Sequence, residues 1–96
     1  DTARKQHTWP FTAIRLTDGN TLVGLTHGNR VAEFAPDGKI AWQVTNAEVN
    51  HLMKDACGVQ RLPNGNTIVN SYAAKAGEVR LFEVTRDKQV VWRWSS

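Results

Sequence analysis

Arg15-Leu16-Thr17-Asp18-Gly19-Asn20-Thr21-Leu22-Val23 recurs 46 positions later as Arg61-Leu62-Pro63-Asn64-Gly65-Asn66-Thr67-Ile68-Val69. A second block echoes the first in the same way. Val31-Ala32-Glu33-Phe34 with Asp37, Ile40 and Trp42 is matched by Leu81-Phe82-Glu83-Val84 with Asp87, Val90 and Trp92, now 50 positions on. The second copy therefore carries four extra residues between its two blocks. A period of this size marks a repeat architecture, in which a single unit cannot bury its apolar faces and neighbouring units must stack. Two unrelated hairpins would not share nine aligned positions and a Trp at matching places.

Asp18-Gly19 and Asn64-Gly65 sit between apolar, β-branched runs, and such dipeptides supply the positive φ angles of tight hairpins. Asp37-Gly38 does the same later in the first copy. Arg86-Asp87-Lys88 holds that place in the second copy without Gly, which predicts a different turn there. Each copy then contains four strands, predicted at 12–16, 20–26, 30–35 and 39–44, and at 57–62, 66–72, 78–85 and 89–94. Alternation places Ile40, Trp42 and Val44 on one face, and likewise Val90, Trp92 and Trp94, with Gln43 and Arg93 opposite. Residues 46–54 are too short for a stable helix and read as a connecting loop. Four antiparallel strands per repeat predict an all-β chain of two β-propeller blades belonging to a larger ring. The expected organisation is a lead-in at 1–10, blade 1 at 11–44, an interblade loop at 45–56 and blade 2 at 57–94. Trp42, Trp92 and Trp94 are the expected interblade packing residues, since one indole fills a wide junction.

The run Val31-Ala32-Glu33-Phe34-Ala35-Pro36-Asp37-Gly38-Lys39-Ile40-Ala41-Trp42 resembles the blade motif of quinoprotein-alcohol-dehydrogenase-like propellers, the PQQ-like repeats. Gln60 to Val69 is similar to the blade openings of arylsulfotransferase-like propellers. The resemblance covers about three quarters of the chain and rests mostly on turn and packing residues, so it speaks to blade type more than to activity. It implies a ring of about six to eight blades. The missing blades come either from the rest of a longer chain or from further copies of this one by homo-oligomerisation. It also implies a periplasmic or extracellular location.

Composition narrows the function classes. The net charge is +3, but its 12 basic residues are dispersed among nine acidic ones. Nucleic-acid binding would want a concentrated basic stripe, so none is expected. The apolar runs are only a few residues long, so no membrane insertion is expected. One cysteine allows neither an internal disulfide nor a multi-cysteine zinc site.

In a propeller, loops between successive blades and loops between second and third strands emerge on one face. That topology gathers His7, His27 and His51, the three histidines of the chain, on one side. The candidate ligand-binding residues there are His27, Asn29, His51, Lys54, Asp55 and Tyr72. No HxH or HxxxH spacing occurs, so no metal site is assigned, nor any catalytic residue or cofactor. Isolated oxygens at Asn29, Asn50 and Asp55 are a weak basis for calcium. Cys57 reads as a small buried hydrophobe; a thiolate assisted by His51 would lack a third, orienting group. Arg15 and Arg61, at matching inner-strand places, suit either an anion or pairing with Glu33, Glu83 or Asp18, with pairing preferred. Arylsulfotransferase-like enzymes carry channel histidines where this chain has Phe11-Thr12 and Cys57-Gly58. The expected function is therefore a non-catalytic propeller module acting as a binding or interaction scaffold. The alternatives are part of a propeller enzyme, quinoprotein-dehydrogenase-like or arylsulfotransferase-like, whose site needs further blades, and a sugar-binding protein with one pocket per blade.

Overall fold

The computed structural model describes residues 10–25 and 28–95. The described residues are all-β apart from one turn of 3-10 helix. Eight strands form: β1 (Pro10–Arg15), β2 (Thr21–Leu25), β3 (Arg30–Phe34), β4 (Ile40–Thr45), β5 (Ala56–Arg61), β6 (Thr67–Ser71), β7 (Val79–Val84) and β8 (Val90–Ser95). They make two antiparallel meanders, β1-β2-β3-β4 and β5-β6-β7-β8, and neither sheet is closed. Every strand lies within two residues of its predicted bounds.

The repeated hairpins are built alike. Gly19 and Gly65 take φ of +95° and +91°. The Leu16 and Leu62 carbonyls accept from their N–H groups at 3.0 and 2.9 Å. Asp18 and Asn64 accept from the backbone of Asn20 and Asn66, each at 2.9 Å. An Asx side chain ahead of a left-handed Gly is the chemistry such a turn needs.

Three local expectations are corrected. The first concerns the turn at Arg86-Asp87-Lys88, which repeats the Asp37-Gly38 turn rather than replacing it. Lys88 stands at φ +68° where Gly38 stands at +88°. Both turns close with the same pair of bonds, Gly38 N–H to Ala35 O and Ala35 N–H to Lys39 O, Lys88 N–H to Thr85 O and Thr85 N–H to Gln89 O. A left-handed side-chain-bearing residue costs roughly 1–2 kcal/mol. The Lys88 ammonium offsets part of this by meeting Glu48 at 2.9 Å.

The second correction concerns Ile40. A bulge lets Phe34 pair with Ile40 while Glu33 pairs with Trp42. Ala41 is the extra residue, so Ile40 and Trp42 fall on opposite faces. The same shift separates Val90 from Trp92. The third lies in the connecting segment, where Asn46–Val49 winds into the 3-10 turn. Glu48 caps it by accepting from Thr45 N–H and Oγ1 at 2.9 and 3.1 Å. Asn46 then brackets Met53, donating Nδ2–H to its carbonyl at 3.0 Å and accepting its N–H at 2.8 Å.

Cross-strand register fixes the faces. One face of the first sheet carries Ile14, Leu22, Val31, Glu33, Trp42 and Val44. It packs on the second-sheet face that carries Val59, Val69, Phe82 and Val84, with Val49, Met53 and Ala56 completing the core. Burying each such aliphatic side chain contributes about 1.5–3 kcal/mol relative to exposure. The reverse face of the first sheet holds a smaller cluster of Val23, Leu25 and Ala32, with Phe34 against it.

Gly24 lets β5 come close. A Cβ there would lie 3.1 Å from the Cys57 carbonyl oxygen and 3.4 Å from Val59. Gly24→Ala must push the two sheets apart by a few tenths of an ångström, because the obstruction is backbone. The expected loss is about 1–3 kcal/mol, read as a lowered urea midpoint with unchanged m-value.

Candidate functional site

Among the described residues, two polar regions involve side chains singled out from the sequence. The first is an open cleft of about 420 Å³ at one end of the sheets, lined by Asn29, His51, Lys54, Asp55, Lys75 and Glu78 among others. The structure thus brings four of the six sequence-predicted ligand residues, Asn29, His51, Lys54 and Asp55, to one place. Tyr72 stands apart from this lining, with 70% of its surface exposed. His7 and His27 lie outside the described residues. The loop that forms the cleft turns through left-handed residues, Asn50 at φ +55°, His51 at +56° and Asp55 at +60°, facing Asn29 at +48°.

Buried anchors hold that loop in shape. Asn29 Oδ1 accepts from Asp55 N–H at 2.8 Å. Fully buried Ser71 accepts from Lys54 N–H at 3.1 Å and donates to the Leu52 carbonyl at 3.3 Å. Lys54 approaches Glu78 at 4.0 Å, with both side chains well exposed. The cleft therefore offers ammonium and carboxylate groups side by side, suited to a small polar molecule of mixed charge. Cys57 is buried, and its thiol meets the Asn70 carbonyl at 3.6 Å.

The second region lies between the sheets. Glu33 is almost fully buried and gathers three donors. Asn20 Nδ2 reaches Oε2 at 2.7 Å, and Arg61 and Arg86 each reach Oε1 at 2.9 Å. Arg61 comes from β5 and Arg86 from the turn between β7 and β8. Their guanidinium carbons sit 5.3 and 5.4 Å from the centroid of the Trp42 ring, within cation–π range. Trp42 Nε1–H donates to the Arg86 carbonyl at 2.9 Å. Burial acts to raise the Glu33 pKa. The hydrogen bonds from Asn20, Arg86 and Arg61 and the Arg61 charge outweigh it and hold the carboxyl below the ordinary 4.5.

The outward face of the second sheet repeats this constellation without a cover. Register places Gln60, Ile68, Leu81, Glu83, Trp92 and Trp94 together, the positional equivalents of Ile14, Leu22, Val31, Glu33, Trp42 and Val44. Asn66 Nδ2 donates to Glu83 Oε2 at 2.7 Å, as Asn20 does to Glu33. Among the described residues no arginine reaches Glu83. Trp42 is 8% exposed, whereas Trp92 is 45% and Trp94 47% exposed. A shallow hollow on this face is lined by Gly58, Gln60, Ile68, Asn70 and Leu81.

The strand bounds read from the sequence begin at Asn20 and Asn66 but give them no site role, and Arg86 is read only as part of a turn. The signal for the asparagines was present. Asn follows both Asp18-Gly19 and Asn64-Gly65, beyond what the turn demands, and a Glu follows 13 residues after Asn20 and 17 after Asn66, the difference being the four extra residues of the second copy. Arg86 has Pro36 as its counterpart, so repetition could not reveal it.

No helix among the described residues is long and apolar enough to cross a membrane. No protein-family model matches this sequence, and no curated protein matches it. Among solved structures, the chain is similar to a protein of unknown function from Bacteroides caccae, at 17% identity and a TM-score of 0.74. The match covers 91% of this chain and 35% of that one, so this chain spans about a third of that protein's length and shares its fold over the matched part.

Proposed function

We propose that this chain is a pair of β-propeller blades working as a non-catalytic interaction module, whose second sheet is a docking surface for further sheets. The observation that supports this reading is the repeated face. Its first copy buries Leu22, Val31 and Val44 completely, and its second copy leaves Trp92 and Trp94 about half exposed. Contiguous apolar surface of this kind marks an interaction site. The solved protein whose fold the chain shares is longer, with 35% of its length matched here. A periplasmic or extracellular setting remains part of the proposal.

An environment-sensitive apolar dye tests it. The native chain should bind the dye, and the Trp92→Lys, Trp94→Lys double variant should lose most of that signal while its melting temperature shifts by only a few degrees. A native chain that binds no dye and sediments as a monomer at all concentrations contradicts the reading.

A further inference from the structure

The second-sheet surface carries more than apolar area. Its Glu83, fixed by Asn66 beside the Trp92 ring, reproduces the half-site that Glu33, Asn20 and Trp42 present to the second sheet. In the filled half-site the principal visitor is Arg61, on strand β5. Its Nε–H donates to Thr67 Oγ1 at 3.0 Å, which aims the guanidinium at Glu33. Only 15% of its side chain is exposed.

The geometry points to Glu83, Asn66 and Trp92 as a receptor for an arginine presented by one more antiparallel sheet of this repeat's own kind. This rests on the interaction-module reading above and names the partner's chemistry. Two observations select that occupant. The first is charge: Glu83 offers a held carboxylate next to an aromatic face, the pairing that a planar guanidinium satisfies by hydrogen bonds and cation–π contact together. The second is continuity, because the same face one repeat earlier is covered by a sheet that brings an arginine in this way.

The strand before a second copy's own Asp18-Gly19 turn also carries an arginine, Arg15, with Nε–H on Thr21 Oγ1 at 3.2 Å. Its neighbours Val23, Leu25 and Ala32 are already buried within their own chain, so that face is not free to cover another. The receiving surface is also not a perfect copy. Asn70 replaces Gly24 and Trp94 replaces Val44, so the incoming strand must present less bulk opposite Trp94 and a polar partner opposite Asn70.

The test adds the missing sheet to the intact chain. Residues 46–95 are repeated after Ser95, with the appended copy's Val59, which would face native Asn70, changed to Ser, the appended side chains that face native Trp94 changed to Ala, and the appended Trp92 and Trp94 changed to Phe so that the native pair alone reports. Hydroxyl-radical oxidation of native Trp92 and Trp94, read by mass spectrometry, should fall about fivefold or more in the extended chain, which should sediment as a monomer. Glu83→Gln, or Arg61→Gln in the appended copy, should each restore most of the oxidation, a ten- to hundredfold weakening of docking for a charge-assisted bond. The two together should do little more than either alone.

Protection that survives both substitutions overturns the arginine receptor and leaves the docking surface standing. Absence of protection overturns both. Protection in the unextended chain through self-association makes a second copy the occupant and overturns the choice made here.

Discussion

Trp42→Ala is expected to destabilise the chain by about 3–5 kcal/mol, enough to unfold most of it at 37 °C, while Trp92→Ala should cost roughly 1 kcal/mol or less. The two residues hold the same place in the repeat, so the contrast isolates what the second sheet adds. Trp42 loses a large buried ring, its hydrogen bond to the Arg86 carbonyl and its contact with two guanidinium groups. Trp92 has no described equivalents of those partners. Urea unfolding followed by far-ultraviolet dichroism measures both, and avoids relying on the indole that is removed. Equal losses at the two positions would mean that the inter-sheet junction contributes little.

Glu33→Ala should be nearly as damaging, at about 3–5 kcal/mol, because it strands Arg61 in a mostly buried position without its counter-charge. Replacing Glu33 and Arg61 together by Leu and Met should recover much of the loss, since a buried pair contributes less than the cost of breaking it. The wild-type carboxylate also dictates an acid limb. Its folded pKa lies below 4.5, so the unfolded chain takes up the proton first. The stabilisation is complete above pH 4.5 and disappears as pH falls through the folded value. Glu48 adds a smaller contribution of the same sign, its carboxyl lowered chiefly by the hydrogen bond from Lys88. Denaturant midpoints at pH 7, 5, 4 and 3 should decline steeply between the last two or three values. In Glu33→Gln the decline should be visibly shallower from a lower plateau.

The strands were legible because turn chemistry and β-branched runs are local signals. Asp18-Gly19 and Asn64-Gly65 set two hairpins without help from anything distant. The faces were less legible at Ile40 and Val90, because a bulge is decided by how a strand fits its neighbour, and alternation alone carries no trace of it. The Lys88 turn was misread for a related reason: Glu48, 40 residues away in sequence, helps hold a lysine in a conformation usually left to glycine. Arg61 and Glu33 were singled out separately, and their preferred pairing was named. That the bond crosses from one repeat to the next, and that Arg86 joins it, depends on sheet stacking, which no pattern within a single repeat encodes. Asn29, His51, Lys54 and Asp55 come to one cleft because loops at the same end of the two sheets lie close together.

Each sheet has two unlike sides. One displays a carboxylate beside an indole, Glu33 with Trp42 or Glu83 with Trp92; the other displays Arg15 or Arg61. Stacking therefore has a polarity, like the head and tail of a growing polymer. Joining two heads would set Glu83 against Glu83, and like charges pressed together in a dry junction repel. Sheets added as proposed above would therefore add in one sense only, onto the Glu83 side, since the Arg15 side of the first sheet already has Val23, Leu25 and Ala32 buried.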